Sequence, residues 1–295
     1  MTSTPAQLAV DWRLPPAEIV DALQSAARRV EAPCGTGGMV WRLWGAGPPL
    51  VLLHGGFGSW THWIRNIPDL AARYTVIAAD MPGLGDSADA PRPHTVEGLG
   101  GILASGLQAV VPPPTPLRIA GFSFGSVLGG HLAVAAGERL LAFVAVGASA
   151  LGLRRQAVQG LSLERPGMTD VEVDAMHRRN LEVLMIADPA RIDPLAVYVH
   201  RHNLARARVR SRRISMSDSL ARMLPKIRGR LMGIWGERDV TAYGHIASRR
   251  ALFESIQPGC PFVTVSGAGH WVMYEAAEAF NTALVGMLAA PENPP

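Results

Sequence analysis

Gly121-Phe122-Ser123-Phe124-Gly125 sets one hydroxyl between two glycines, directly after the apolar run Leu117–Gly121 and before the small-residue stretch Ser126–Ala136. A serine on so tight a turn, fed by a strand and opening a helix, is lifted clear of a sheet edge, and the glycines let the two backbones approach. Such a hydroxyl becomes a nucleophile when a base takes its proton, and that base needs an acid to orient it. Ser123 is thus the candidate nucleophile; the plain alternative is a capping serine in a glycine-rich turn.

The base has to come from a loop at the same edge. Of nine histidines, His270 is favoured because it lies in Gly267-Ala268-Gly269-His270-Trp271, a sharp loop after the strand-like Phe262–Val265. The favoured acid is Asp239, in Gly236-Glu237-Arg238-Asp239 after Leu231–Trp235. Glu237 is the rival carboxylate of that loop; Asp239 is preferred because a longer turn suits a side chain reaching across to the next loop. The order serine, acid, histidine is the one this strand–turn–helix context carries. Two backbone N–H groups would receive the charge developing on an attacked carbonyl. One is Phe124 N–H at the helix start, and the other is Gly56 or Phe57 N–H in His54-Gly55-Gly56-Phe57-Gly58, whose glycines leave room for it.

These loops must be positioned by a covered parallel sheet. Met39–Trp44, Leu50–Leu53, Thr75–Ala79, Leu117–Gly121 and Leu140–Val146 read as short buried strands, with helices at Trp60–Tyr74, Thr95–Val111 and Ser126–Ala136. Near-continuous apolar strands alternating with helices mean an α/β fold with helices on both sheet faces. The rhythm breaks over Ser149–Leu224, which has helical periodicity and many arginines, and resumes at Leu231. The expected organisation is an N-terminal extension over 1–38, a core from 39–149 and 226–295, and a helical cap over 150–225 above the carboxyl ends of the strands. In the extension, Met1–Pro16 is expected to be loose and Ala17–Val30 to form a short amphipathic helix.

Composition excludes several other classes. Of the 295 residues 48% are hydrophobic and 18% charged, which rules out a disordered chain. No apolar run approaches about 18 residues, so no membrane span is expected. Acids interrupt Met1–Val30, so no secretory leader is expected either. Two cysteines, Cys34 and Cys260, fit a reduced cytoplasmic protein better than a disulfide framework. A net charge of +4 is a weak argument for nucleic acid. Arg206, Arg208, Arg210, Arg212 and Arg213 read mainly as a solvated face. No cluster has metal-ligand spacing, and Asp80 and Asp86 fit a glycine-shaped turn better than an ion site, so no metal and no organic cofactor is expected.

Taken together and in order, His54–Trp60, Asp80–Ser87, Gly121–Gly125, Trp235–Asp239 and Gly267–Trp271 resemble the α/β-hydrolase superfamily from Met39 onward. Within it, Gly269–Asn281 and Met185–Asn203 most resemble the meta-cleavage product hydrolases, which cleave a carbon–carbon bond in 2-hydroxy-6-oxo-dienoates. The resemblance implies an α/β-hydrolase fold with a mostly parallel sheet and an inserted helical cap. By position, it implies that Arg201 binds a substrate carboxylate. That family carries Asn before its nucleophile and Met-Gly-Gly after it, where this chain has Phe122 and Phe124-Gly125-Ser126. Trp60, Trp63, Phe122, Phe124, Met185 and Trp271 would line an apolar pocket in this arrangement. The expected activity is serine-dependent hydrolysis of a small carbonyl compound, with or without a carboxylate, resembling the hydrolysis of 2-hydroxy-6-oxo-dienoates. The alternatives are a carboxylesterase for small apolar esters and a non-catalytic ligand-binding protein on the same scaffold. A homodimer is the oligomeric state the resemblance suggests.

Overall fold

The computed structural model describes residues 8–156 and 158–289. The first seven residues of the segment expected to be loose lie outside the described residues. Among the described residues, eight strands, β1 (Arg28–Cys34), β2 (Gly37–Trp44), β3 (Pro49–Leu53), β4 (Thr75–Ala79), β5 (Leu117–Phe122), β6 (Leu140–Val146), β7 (Arg230–Gly236) and β8 (Phe262–Val265), form one sheet in the order β1-β2-β4-β3-β5-β6-β7-β8. Both pairings of β2 are antiparallel, and all neighbours from β4 to β8 are parallel. Helices α1 (Pro16–Ser25), α2 (Ile67–Ala71), α3 (Val96–Val110), α4 (Phe124–Ala136), α5 (Asp170–Leu184), α6 (Pro194–Ala205), α7 (Arg212–Ser215), α8 (Ser219–Met223), α9 (Ile246–Ile256), α10 (Val272–Glu275) and α11 (Ala277–Ala289) complete the fold.

Side chains alternate across each strand, so a sheet covered on both faces needs apolar residues at every strand position. Val51, Leu53, Ile119 and Phe143 enter one core, and Leu50, Leu52, Ala120 and Val144 the other. This is the physical origin of the unbroken apolar runs in the sequence.

The helix expected over Ala17–Val30 is shorter than its periodicity suggests. It stops at Ser25, and Arg28–Cys34 becomes the edge strand β1. Every residue of β1 pairs with β2, from Arg28 opposite Leu43 to Cys34 opposite Gly37. The two-residue turn Gly35-Thr36, with Gly35 at φ +57°, is the tight hairpin that makes this pairing possible. The backbone partners offered by β2 outweigh the helix preference of the local sequence, and the expected N-terminal extension contributes a strand to the sheet.

Strands β6 and β7 pair directly, and the described residues between them form helices and no strand. Helix α5 opens with a capping box between Thr169 and Glu172. Arg206 and Arg208 tie this insertion to the loop after β4, through Asp86 (2.7 Å) and through Asp89 and the Ser87 carbonyl. The same loop is anchored from within by a fully buried ion pair, Arg42 to Asp80 at 2.8 Å. Asp80 also accepts the Trp60 N–H (2.8 Å) and the Asp86 N–H (3.0 Å). Among the described residues, no helix is long and apolar enough to cross a membrane.

Four histidines are held neutral inside this fold. His54 Nε2 accepts the Met81 N–H (2.9 Å), and His62 Nδ1 accepts the Gly55 N–H (3.1 Å), so protonating either acceptor nitrogen would break a buried bond. The Nδ1 atoms of His177 and His200 lie 2.9 Å apart, which allows one proton between them. Burial depresses all four below the ordinary histidine range; for His200, burial and the adjoining His177 ring, next to which a second positive charge is disfavoured, bring it to about 3. The unfolded chain therefore binds more protons than the folded one below about pH 6.5. Their contribution to stability is complete above that pH and is lost as the pH falls toward the folded values, at up to about 1.4 kcal/mol per pH unit per histidine. Thermal melts are expected to show Tm falling steadily from pH 7 to pH 5; a flat Tm over that range would contradict it.

Candidate active site

Strands β3, β5, β6, β7 and β8 run in parallel and end at one sheet edge, so the residues after each of them meet there. Ser123 is the single residue between β5 and α4, at φ +51° and ψ −112°. A side chain in that region costs about 1–3 kcal/mol and persists where the surroundings force it. The surroundings here are two backbones in contact. A Cβ on Gly121 would sit 2.5 Å from the Gly125 carbonyl oxygen, and one on Gly125 would sit 2.7 Å from the Leu53 carbonyl carbon. The Ser123 N–H donates to the Val146 carbonyl at 2.8 Å, which ties the turn to the neighbouring strand.

Three side chains from distant parts of the chain meet at this turn. His270 Nε2 lies 3.1 Å from Ser123 Oγ, and His270 Nδ1 lies 2.9 Å from Asp239 Oδ2. The histidine is 4% exposed and the aspartate fully buried. Asp239 Oδ1 accepts the Thr241 N–H (2.9 Å) and hydroxyl (2.8 Å). Burial pushes the Asp239 carboxyl up, but the nearby His270 charge, its hydrogen bond and those from Thr241 outweigh this and hold it below the usual carboxylate range. The carboxylate is thus available at neutral pH to fix the imidazole with Nδ1–H toward itself and Nε2 bare toward the serine.

Glu237, the rival acid, faces outward and accepts the Gly267 N–H (2.8 Å) and the Ser266 hydroxyl (3.0 Å), bracing the loop that carries His270. Around Gly56, Phe57 and Phe124, two neighbouring N–H groups are already engaged. The Gly55 N–H is already given to His62 and the Ser123 N–H to Val146. Phe124 is the first residue of α4, where an N–H has no partner within the helix. Phe57 sits at φ +55° and is 39% exposed, and Gly56 lies beneath Ser211.

The expected substrate-contacting residues fare less uniformly. Phe122 is buried with its ring 4.9 Å from the His270 imidazole, and Met185 lines a small cleft with Gly269 and His270. Trp63 is fully buried and packs against Phe280 (5.8 Å) within the core. Trp60 likewise packs on Trp44 (5.3 Å). Trp271 is also fully buried; it stacks on Tyr274 (4.2 Å) and donates its indole N–H to the His62 carbonyl (2.9 Å), so it supports the loop instead of presenting a surface.

Arg201 is the largest departure. Helix α6 turns it toward α5, where Asp170 (2.6 Å) and Asp174 (3.0 Å) take its guanidinium. With Asp174 and Arg178 it lines a groove whose walls include neither Ser123, Asp239 nor His270. The inward face of α6 instead carries Asn203, whose carboxamide oxygen accepts the Ser59 (2.7 Å) and Thr61 (3.2 Å) hydroxyls.

Several contributors escape a reading by spacing. Gly147 (φ +50°) directly follows β6, and a Cβ there would press to 3.3 Å on both Asp239 Oδ2 and His270 Nδ1. Glu275 accepts the N–H groups of Gly269 (2.7 Å), Asp188 (2.8 Å) and Ala187 (3.0 Å), joining the histidine loop to the insertion. Thr241 carried a usable signal, since a hydroxyl two residues after an aspartate commonly closes a local turn on it. His62 carried none.

The sheet, the crossover helices and the serine turn define an α/β-hydrolase fold. Over residues 50–283 the chain matches the Alpha/beta hydrolase family, and it belongs to that family. Among curated proteins it is similar to the dihydrolipoyllysine-residue acetyltransferase component of the acetoin cleaving system of Pseudomonas putida, 27% identical over 253 residues, 82% of this chain and 64% of that protein. The chain thus spans less than two thirds of that relative's length. It is also similar to the pimeloyl-(acyl-carrier protein) methyl ester esterase of Aeromonas hydrophila, 35% identical over 118 residues, 40% of this chain and 44% of the relative. Among solved structures, the esterase RhEst1 from Rhodococcus sp. ECU1013 superimposes with a TM-score of 0.71 at 22% identity, covering 90% of this chain and 99% of that one. The meta-cleavage product hydrolase CumD from Pseudomonas fluorescens IP01 gives 0.66 at 20% identity, covering 88% and 96%. At these identities the structural likeness is one of fold.

Proposed function

We propose that this α/β hydrolase is a serine esterase for small, largely apolar carboxylic esters. The observation that carries the reading is the hydrogen-bonded chain from Ser123 Oγ through His270 to Asp239, with the serine held at positive φ on the turn before α4. His270 Nε2 takes the Ser123 proton as Oγ attacks the ester carbonyl. The tetrahedral oxyanion is met by the Phe124 N–H and by an N–H of Gly56 or Phe57, worth about 3–4 kcal/mol per donor in comparable sites. Asp239 holds the imidazole tautomer and stabilises the imidazolium, which then protonates the leaving alcohol. Water, activated by the same histidine, releases the acid and restores the serine.

Two observations favour an ester over a dienoate. Arg201, the residue the resemblance offers for a carboxylate, is engaged by Asp170 and Asp174. Phe122 stands where the dienoate hydrolases carry a polar side chain. The test is a panel of p-nitrophenyl esters of increasing acyl length beside one 2-hydroxy-6-oxo-dienoate. Turnover of short esters with kcat/KM at least about 10²-fold above that for the dienoate is expected, equivalent to about 2.7 kcal/mol in the barrier. Preference for the dienoate would overturn the ester assignment, and absence of both activities would favour the binding-protein alternative.

A further inference from the structure

We infer that His62 is a positioning residue for this reaction: through the lone pair of its Nδ1 it grips the Gly55 N–H and sets the loop His54–Phe57 so that its next N–H groups face Ser123. The inference rests on the serine-esterase reading and names a part of that site which neither the triad nor the loop sequence identifies.

His62 is 4% exposed and touches the three segments that must be in register. Its Nδ1 accepts the Gly55 N–H at 3.1 Å. Its ring meets Phe122, the residue before the nucleophile, edge-on at 5.6 Å, and lies 5.1 Å from Trp271, the residue after the base. Its carbonyl accepts the Trp271 indole N–H at 2.9 Å. On the other side of the same residue, at the following peptide group, His54 Nδ1 donates to the Gly55 carbonyl at 2.8 Å. Gly55 is thus held at both its N–H and its C=O, and the Gly56 and Phe57 N–H groups follow in a fixed direction. The glycines make this possible, since a Cβ at Gly58 would collide with the His62 ring.

A backbone N–H can be accepted at Nδ1 only when that nitrogen is bare, so the proton of neutral His62 sits on Nε2. Burial, with the imidazoles of His54, His200 and His270 crowded around it and unfavourable to a further positive charge, holds His62 well below the ordinary histidine range. The acceptor therefore persists throughout the pH range in which an esterase works. His62 has no need to touch the substrate; it acts through the loop, and preorganised donors are worth much only when correctly aimed.

The test compares two substitutions. In His62→Asn the carboxamide oxygen takes the place of Nδ1 and can still accept from Gly55; in His62→Gln the carboxamide lies one carbon further out. On a p-nitrophenyl ester, His62→Asn is expected to retain kcat within about fivefold, and His62→Gln to lose about 10–10² in kcat with KM little changed, a fraction of the loss of a whole oxyanion donor. A packing role alone would make Asn the worse of the two, because it leaves the larger void, and that order would overturn the inference. Long-range ¹H–¹⁵N spectra of the wild-type protein give a second readout that needs no variant: His62 is expected as the Nε2–H tautomer, and an Nδ1–H tautomer would overturn it. A fluorophosphonate probe on the wild type separates the two levels. Labelling of Ser123 with the wrong order of variants refutes the role of His62, whereas failure to label refutes the esterase reading beneath it.

Discussion

Ser123→Ala is expected to lower turnover of an activated ester by about 10⁴–10⁶ while the fold stays intact. The side chain reaches the imidazole from a turn whose geometry is set by Gly121, Gly125 and the bond to Val146, none of which involves the hydroxyl. Alanine occupies the same positive φ at the same cost, so Tm should stay within a few degrees of the wild type. A fluorophosphonate adduct, read by intact mass, should appear on the wild type and be absent from the variant. Turnover above a tenth of the wild-type value would remove Ser123 from the mechanism.

Asp239→Asn should cost about 10⁴ in kcat with KM little altered. The reason lies in the donors that surround this carboxylate. Thr241 gives an N–H and a hydroxyl to Oδ1, so an asparagine there turns its oxygen toward Thr241 and its NH₂ toward His270. Faced with a donor, His270 Nδ1 must accept, its proton moves to Nε2, and Nε2 can no longer take the proton of Ser123. Glu237→Gln is the control. It removes charge from the brace across Gly267 and Ser266 and is expected to leave kcat within a few-fold. A larger loss at position 237 than at 239 would reassign the acid.

The central layer of the fold was legible because a sheet covered on both faces requires apolar residues at each strand position, and that requirement is written as unbroken runs. The serine turn was legible for a related reason: two backbones in contact exclude every side chain at positions 121 and 125, so the glycines announce the geometry. Arg28–Cys34 was not legible as a strand. Its local preferences suit the end of a helix, and its state is decided by the hydrogen bonds that β2 offers from the other side of a hairpin. The aromatic residues illustrate the same limit. Trp63, Trp271 and Phe122 all lie close in sequence to chemistry-bearing loops, yet whether a ring lines a cavity or fills the core depends on the side from which a loop approaches.

Arg201 and His62 divide what the chain alone determined from what the folded molecule decided. Residue type and order along the chain were enough to nominate Ser123, Asp239 and His270, since the chemistry of each is intrinsic and parallel strands bring the residues after them to a common edge. Orientation was not contained there. Arg201 carries a charge suited to a carboxylate, but two aspartates on α5 hold it first; His62 has no distinguishing spacing, but packing delivers its Nδ1 to the Gly55 N–H. Hydrogen bonds and ion pairs act over a few ångströms and along fixed directions, and those distances and directions exist only once the helices have docked.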